Sequence, residues 1–502
     1  MKSKSAFLVG CLVFVVLVVV AFNVGYRLMK VPGPKGIASE SWLVLDPQGM
    51  VPDYNEIRSS GFWNFGPVSS EEICRRIRRA AIDPKVKGIL IKPGITQISY
   101  ANLNEIAAAL KDFKARRKPV LAHGEMLAQR DYLLCSMADK VNMEPSASAG
   151  LLLEGVSANM LFFKNTLAKL GIKMHVMQAG KYKGASEPYN RTSFSPETEA
   201  NLRQVLKGRY DLILDTIGRY RQLDTLAVRE IFETRPDLFI TADEAMRYGL
   251  IDQALTWDSY AAENGITPEK TVSIRKYNSE TLQSSTNRIA VLNLSGNIAP
   301  VQGFTADGLI SSGKVDKVVR QIQEDPSIKA VILRVNSPGG SALESELIYQ
   351  KLQTLKIPVV VSMGGMAASG GYYVSCAGDY IFADPYTITG SIGVVMALPE
   401  AEELGNKIGL DSQTLSYGKF AKFGSIFEAY DQEILNSLQR SADSVYAEFQ
   451  ERVMTARKIA PENMEAVAEG RVFTATAAKA NGLIDEIGGL DAAIKKAAEL
   501  AK

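Results

Sequence analysis

Hydrophobic and polar positions follow two periods along this chain. Short runs rich in β-branched residues, such as Ala330–Val335 and Pro358–Ser362, are apolar almost throughout, while Val315–Gln323 and Leu343–Leu355 place apolar residues at helical spacing. Strands that are apolar on both faces need helices on both sides to keep them from water. Their alternation with helical stretches therefore predicts α/β architecture with mainly parallel sheets. One stretch stands apart. Ala6–Phe22 contains no charged or strongly polar side chain, and extended to Tyr26 it reaches about 31 Å as a helix, enough to cross a bilayer. Lys2 and Lys4 precede it, as in a signal peptide, but the run is longer than a usual signal core and ends without a small-x-small cleavage site. An uncleaved anchor is the expectation. Arg27, Lys30 and Lys35 follow the span, so the count of flanking positive charges leaves its orientation open.

The pattern then occurs twice. Trp42–Gly49 resembles Ile289–Gly296, and Asp83–Ile91 resembles Asp325–Leu333. Between 122–150 and 362–390, at a constant offset of 240, identities fall at Gly124/Gly364, Met126/Met366, Ala128/Ala368, Tyr132/Tyr372, Asp139/Asp379, Pro145/Pro385 and Gly150/Gly390. Thr241-Ala242-x-x-Ala245-x-x-x-Gly249-Leu250-Ile251-Asp252 recurs as Thr474-Ala475-x-x-Ala478-x-x-x-Gly482-Leu483-Ile484-Asp485. Four matches in the same order identify an internal duplication. The expected organisation is an anchor and juxtamembrane segment at 1–38, a first repeat at 39–259, a polar linker at 260–287 and a second repeat at 288–502.

Composition narrows the chemistry. With 57 Lys and Arg against 55 Asp and Glu among 502 residues, no global field attracts nucleic acid. The basic run Arg75–Arg79 reads as a solvated helix face. Four scattered cysteines (Cys11, Cys74, Cys135, Cys376) make neither a disulfide framework nor a zinc ribbon, and read as buried free thiols. His123 and His175 are the only histidines, so a Ser-His pair or a histidine-rich metal site has little to draw on. No cofactor or metal is expected.

Duplicated repeats keep what folding needs and diverge where roles have been divided. After its buried strand the second repeat has Asn336-Ser337-Pro338-Gly339-Gly340, where the first has Lys92-Pro93-Gly94-Ile95 without the glycine pair. Adjacent glycines let backbone N–H groups approach a ligand closely, although a plain turn would use them too. Ser369, in Met366-Ala367-Ala368-Ser369-Gly370-Gly371-Tyr372-Tyr373, aligns with Gln129. A serine among small residues between a strand and a helix suits a nucleophile with the Gly370 N–H as oxyanion donor, or a tightly packed helix start. A nucleophile needs a base. No histidine follows His175, and His123 aligns with Met363 at a strand-end core position. A buried lysine can serve instead. Gly180-Lys181-Tyr182-Lys183 resembles Gly418-Lys419-Phe420-Ala421, so Lys181 and Lys419 are shared whereas Lys183 is matched by alanine. One repeat keeps a serine, the other a lysine.

These residues resemble the signal peptide peptidase A (protease IV) family, in its long tandem-repeat form, within the Clp protease/crotonase superfamily. The motifs are Tyr182-Lys183-Gly184-Ala185-x-Glu187-Pro188-Tyr189, Asn336–Gly340, Ala367–Tyr373 and Thr389-Gly390-Ser391-Ile392-Gly393. The resemblance covers nearly the whole chain. It implies two crotonase-like repeats of ββα units, with Ser369 as nucleophile, Lys183 as general base, the amides of Gly340 and Gly370 as oxyanion hole and Ser391 beside the lysine. Gly184 departs from the serine usual there. It further implies a serine endopeptidase of the bacterial inner membrane with its body on the extracytoplasmic side, acting on signal peptides and other small apolar peptides, and assembled as a homotetramer. The alternative is a crotonase-like acyl-CoA enzyme. Glu187 would hold Lys183 protonated if it pointed into the site, so it is expected to turn away, toward Arg191.

Overall fold

The computed structural model describes residues 37–54, 67–277, 286–301 and 308–502. The apolar run Ala6–Phe22 lies outside these, and among the described residues no helix is long and apolar enough to cross a membrane.

Each repeat is built on a parallel sheet. In the first, the order is Thr271–Ser273, Ser41–Leu45, Val86–Ile91, Val120–Gly124 and Lys140–Met143, every neighbour parallel. In the second, Arg288–Ser295, Ile328–Ser337, Val359–Ala368, Tyr380–Ala383 and Glu486–Ile487 follow the same plan. There Ile388–Gly390 also joins Val359–Ala368 in parallel and takes Val472–Thr474 as an antiparallel neighbour. Helices cover the strands, as their two-sided apolar patterns require. The helix Ser70–Ile82 is capped by the Ser69 hydroxyl and buries Ile73, Cys74 and Ile77. The face expected to be solvated is so only in part: Arg75 is exposed and Arg78 pairs with Asp112 and Asp491, but Arg76 is largely buried, pairing with Glu72 and donating to Ile274 O. Cys74, Cys135 and Cys376 are buried free thiols.

The repeated residues do the same work in both halves. The Asp139 carboxylate accepts from Val120 N–H at 2.8 Å, and Asp379 from Val359 N–H at 2.8 Å. Tyr132 donates its hydroxyl to Leu250 O at 2.8 Å, and Tyr372 to Leu483 O at 2.7 Å. Asp252 and Asp485 each accept from a strand N–H and take a two-pronged contact from Arg221 or Arg457. These bonds join each sheet to its closing turn, which explains why the identities fall there.

The stretch expected to be a linker is structured as far as Tyr277. The helix Trp257–Asn264 buries Tyr260 and Ala261 against Trp42, Leu90 and Leu121, and Thr271–Ser273 forms the edge of the first sheet. A three-residue strand is too short to show a period, and a helix with two buried residues looks polar in sequence.

The two repeats are locked together. Lys173–Ala179 of the first pairs antiparallel with Val394–Glu400 of the second. Arg334, wholly buried on a strand of the second repeat, donates to both oxygens of Asp53 and contacts Glu105 at 2.7 Å, both from the first repeat. The Lys173–Ala179 strand runs directly into the lysine loop, so the seam between the repeats is where the candidate residues converge.

Candidate active site

The strand Val359–Ala368 ends at Ser369, and the helix Gly370–Ser375 begins immediately after it. Ser369 has φ 55° and ψ −122°, a conformation that L-residues avoid. Its N–H donates to Gly390 O at 2.8 Å and its carbonyl accepts from Tyr373 N–H at 2.9 Å, so bonds on both sides hold the bend. The bend presents Oγ at the end of the strand. Beside it, the turn after Ile328–Ser337 needs its glycines. A Cβ on Gly339 would lie 2.6 Å from the Gly370 nitrogen, and one on Gly340 would lie 2.0 Å from Ile298 O. The Gly339–Gly340 backbone thus packs against the start of the Gly370 helix, whose first-turn amides have no partner within the helix. In the first repeat Gly94 packs instead on the Gln48 side chain.

Lys183 arrives from the other repeat. It sits in the loop between Lys173–Ala179 and the short 3₁₀ turn Gly184–Ser186, and it is buried. Its Nζ lies 2.9 Å from Ser369 Oγ, 2.7 Å from Ser391 O and 2.9 Å from Ser391 Oγ. A neutral amine has two hydrogens and one lone pair. The Ser391 carbonyl can only accept, so it takes one hydrogen, and the Ser391 hydroxyl takes the other. The lone pair then remains for the Ser369 O–H. Ser391 has φ 56°, a second strained residue, and its N–H is fixed by donating to Arg471 O. Burial pushes the Lys183 ammonium down to about 7, because the charged form loses its hydration.

Glu187 turns away, as expected, but not toward Arg191. Its carboxylate accepts from Ser195 N–H, Ser195 Oγ and Thr198 Oγ1 at the start of the helix Pro196–Arg221. Arg191 instead donates to Ser193 O. The helix start offers unpaired N–H groups and a favourable dipole, which suit a carboxylate better than an exposed guanidinium does. The histidines are engaged elsewhere. His123 is buried between Asn142, Trp257 and Tyr260, and His175 pairs with Glu400 at 2.7 Å. Gln129, at the position of Ser369, donates its amide to the Tyr100 hydroxyl oxygen and to Gly155 O, and accepts from Gly155 N–H.

Comparison with known proteins places the chain in a family. The model for peptidase family S49 matches residues 112–266 and again 351–502, once in each repeat, and the Clp protease model matches 307–386. The chain belongs to peptidase family S49. It is 32% identical over 493 residues to Protease 4 of Salmonella typhi, covering 92% of this chain and 78% of that one. Protease 4 of Haemophilus influenzae is 32% identical over 454 residues, covering 86% and 73%. Serine protease SPPA, chloroplastic, of Arabidopsis thaliana is 29% identical over 498 residues, covering 96% and 72%. This S49 peptidase is a serine endopeptidase, and the acyl-CoA alternative gains nothing from its relatives.

Sequence reasoning named the residues that meet at the seam of the S49 peptidase but overlooked what holds them. The segment Glu469–Val472 touches both the lysine loop and Ser391. The side-chain amide of Asn201, from the first repeat, donates to Val472 O and accepts from Val472 N–H. A visible signal existed: Glu469-Gly470-Arg471 stands where the first repeat has Pro236-Asp237-Leu238.

Proposed function

We propose that this peptidase cuts peptide bonds with a dyad of Ser369 and Lys183. The observation that carries the reading is the 2.9 Å approach of a buried amine, pushed down to about 7 by burial, to a serine oxygen 186 residues away in sequence. Neutral Lys183 takes the Ser369 proton as Oγ attacks the substrate carbonyl. The Gly340 and Gly370 amides hold the tetrahedral oxyanion, each such donor being worth roughly 3–4 kcal/mol in related sites. The Lys183 ammonium returns the proton to the departing amine, the acyl-enzyme forms, and water activated by the same lysine releases the acid. Ser391 orients the amine without adding negative charge.

Substrates are extended apolar peptides, signal peptides among them, held near the membrane by an anchor at Ala6–Phe22 with the body on the extracytoplasmic face. The assembly is a homotetramer. Its support lies in the duplication. Residues 154–160 correspond to Val394–Glu400, and residues 411–417 correspond to Lys173–Ala179, yet neither joins a sheet among the described residues. Leu415 and Tyr417 are fully open to solvent. Pairing these segments between neighbouring chains would repeat the contact made inside each chain and close a ring.

Ser369→Ala and Lys183→Ala are each expected to abolish hydrolysis of an apolar reporter peptide while leaving the melting transition in place. The wild-type rate should rise with pH to a midpoint near 7, since the base works unprotonated. Appreciable turnover by either variant, or a rate already maximal at pH 5, would remove the lysine-assisted serine from the mechanism.

A further inference from the structure

Three consecutive residues of the lysine loop rest on one turn of the second repeat. Lys181 N–H donates to the Glu469 carboxylate at 3.1 Å, and Tyr182 N–H donates to Glu469 O at 2.7 Å. The Arg471 guanidinium lies 4.1 Å from the centre of the Tyr182 ring and donates to its hydroxyl at 3.1 Å. Lys183 itself packs on Gly470, where an added Cβ would fall 2.5 Å from the Lys183 nitrogen and 2.7 Å from its Cα. The turn also grips the other side of the site. Gly470 N–H donates to Ile392 O at 2.7 Å, and Arg471 O accepts from Ser391 N–H at 2.6 Å. Both Glu469, at φ 60°, and Gly470, at φ 80°, are left-handed. A left-handed glutamate is costly unless its surroundings fix it. Here the carboxylate accepts from the Tyr446 hydroxyl, which in turn accepts from Glu469 N–H.

The duplication supplies a control. Counting back from the Thr241/Thr474 match, the first repeat has Pro236-Asp237-Leu238 at this turn. That turn also leads into an antiparallel contact, Ile240 with Leu151, but Leu238 and Phe239 are exposed. A turn needed only for folding would have no reason to differ in the one repeat that receives a lysine.

We propose that the Glu469–Gly470–Arg471 turn is a positioning element that sets Lys183 Nζ against Ser369 and Ser391. The inference rests on the reading of Lys183 as base. Gly470 fixes how closely the loop backbone approaches, Arg471 fixes the rotation of the loop through Tyr182, and Glu469 fixes its entry at Lys181. Gly470 and Arg471 also hold Ser391 and Ile392 in register, so base and orienting hydroxyl are placed by one turn. The charged groups around Lys183 are Lys181, paired with Glu465, together with Glu187, Glu469 and Arg471. Each is occupied by the partners named above, and burial is what lowers the lysine.

The test uses the full chain in detergent, with Gly470→Ala, Arg471→Leu, Arg471→Lys and Glu469→Gln, the last preserving shape in case the others fold poorly. Leu238→Ala is the control in the first repeat, and Lys183→Ala is the reference for the base. A displacement of the order of 1 Å costs about 100-fold in rate, so Gly470→Ala and Arg471→Leu should lose about 10- to 100-fold in kcat with KM little changed. Because a loosened loop admits water to the amine, the midpoint of the kcat/KM profile should move upward from about 7 toward the ordinary lysine value of 10.5. Arg471→Lys, which keeps a cation over the ring, should recover part of both effects, and Leu238→Ala should show neither. Dividing each rate by the folded fraction measured at the same pH separates loss of folded protein from a moved midpoint. A fall in rate with an unmoved midpoint, or variants indistinguishable from wild type, overturns the positioning role while an inactive Lys183→Ala leaves the dyad standing. An active Lys183→Ala overturns both.

Discussion

Lys183 carries a stability cost with a defined pH dependence. Its folded value is about 7 against an ordinary 10.5, so between these pH values the unfolded chain binds more protons than the folded one. Stability contributed at this position therefore rises with pH through that window, and the whole penalty is present below about pH 7. Replacing the lysine by an uncharged side chain of similar length removes the penalty. Lys183→Met is expected to raise the melting temperature at pH 6, with a gain that shrinks steadily toward pH 10. A gain that grew with pH would show a lysine stabilised in its charged form. The residue was legible in sequence because its counterpart is Ala421. Its partner on the carbonyl side, Ser391 O, was not, since a backbone acceptor leaves no mark in a sequence.

At the scale of elements, the strand-to-helix connection is shared but the strained bend is not, since Ala128 enters its helix at φ −68° and ψ 163° where Ser369 takes φ 55°. The helix Gln129–Ser136 occupies the place of Gly370–Ser375, and Gln129 fills the serine position with a side chain whose hydrogen bonds hold the Gly155 backbone. Gln129→Ser in a Ser369→Ala background should therefore yield no hydrolysis, because no glycine pair and no lysine accompany it. The same change should lower the melting temperature, since it leaves backbone groups at Gly155 short of partners, a loss of about 1–3 kcal/mol. Activity and melting curves of the double variant check both halves, and new hydrolysis would mean that the first repeat retains an active framework. The main strands and helices were readable because two copies of each pattern reinforce one another. The edge strand Thr271–Ser273 was hidden, since its pairing is with Trp42–Val44, far away in the chain.

For the whole molecule, the decisive feature is the seam. Arg334 balances Asp53 and Glu105, all three side chains being buried. Removing it strands two buried carboxylates, and breaking a buried pair in this way typically costs about 3–5 kcal/mol. Arg334→Met is expected to lower the melting temperature strongly and, because it loosens the seam that joins serine to lysine, to reduce activity as well. Adding Asp53→Asn and Glu105→Gln to the same chain should restore much of the stability, as uncharged amides tolerate burial better. Thermal melts of the single and triple variants measure this. A triple variant no more stable than Arg334→Met would show that the charges are not the issue.

The sequence by itself determined the duplication, the α/β class and the two residues proposed as the divided pair. Periodicity is a local property, and two aligned copies expose every departure from the shared plan. Tertiary structure alone decided what those departures are worth. Only folding brings Ser369 within 2.9 Å of Lys183, buries the amine so that it loses its proton near neutrality, sends Glu187 to the start of the Pro196–Arg221 helix, and sets Gly470 beneath the lysine backbone. These depend on distances across the seam and on exclusion of water, and neither quantity is written in the order of residues along one strand or helix.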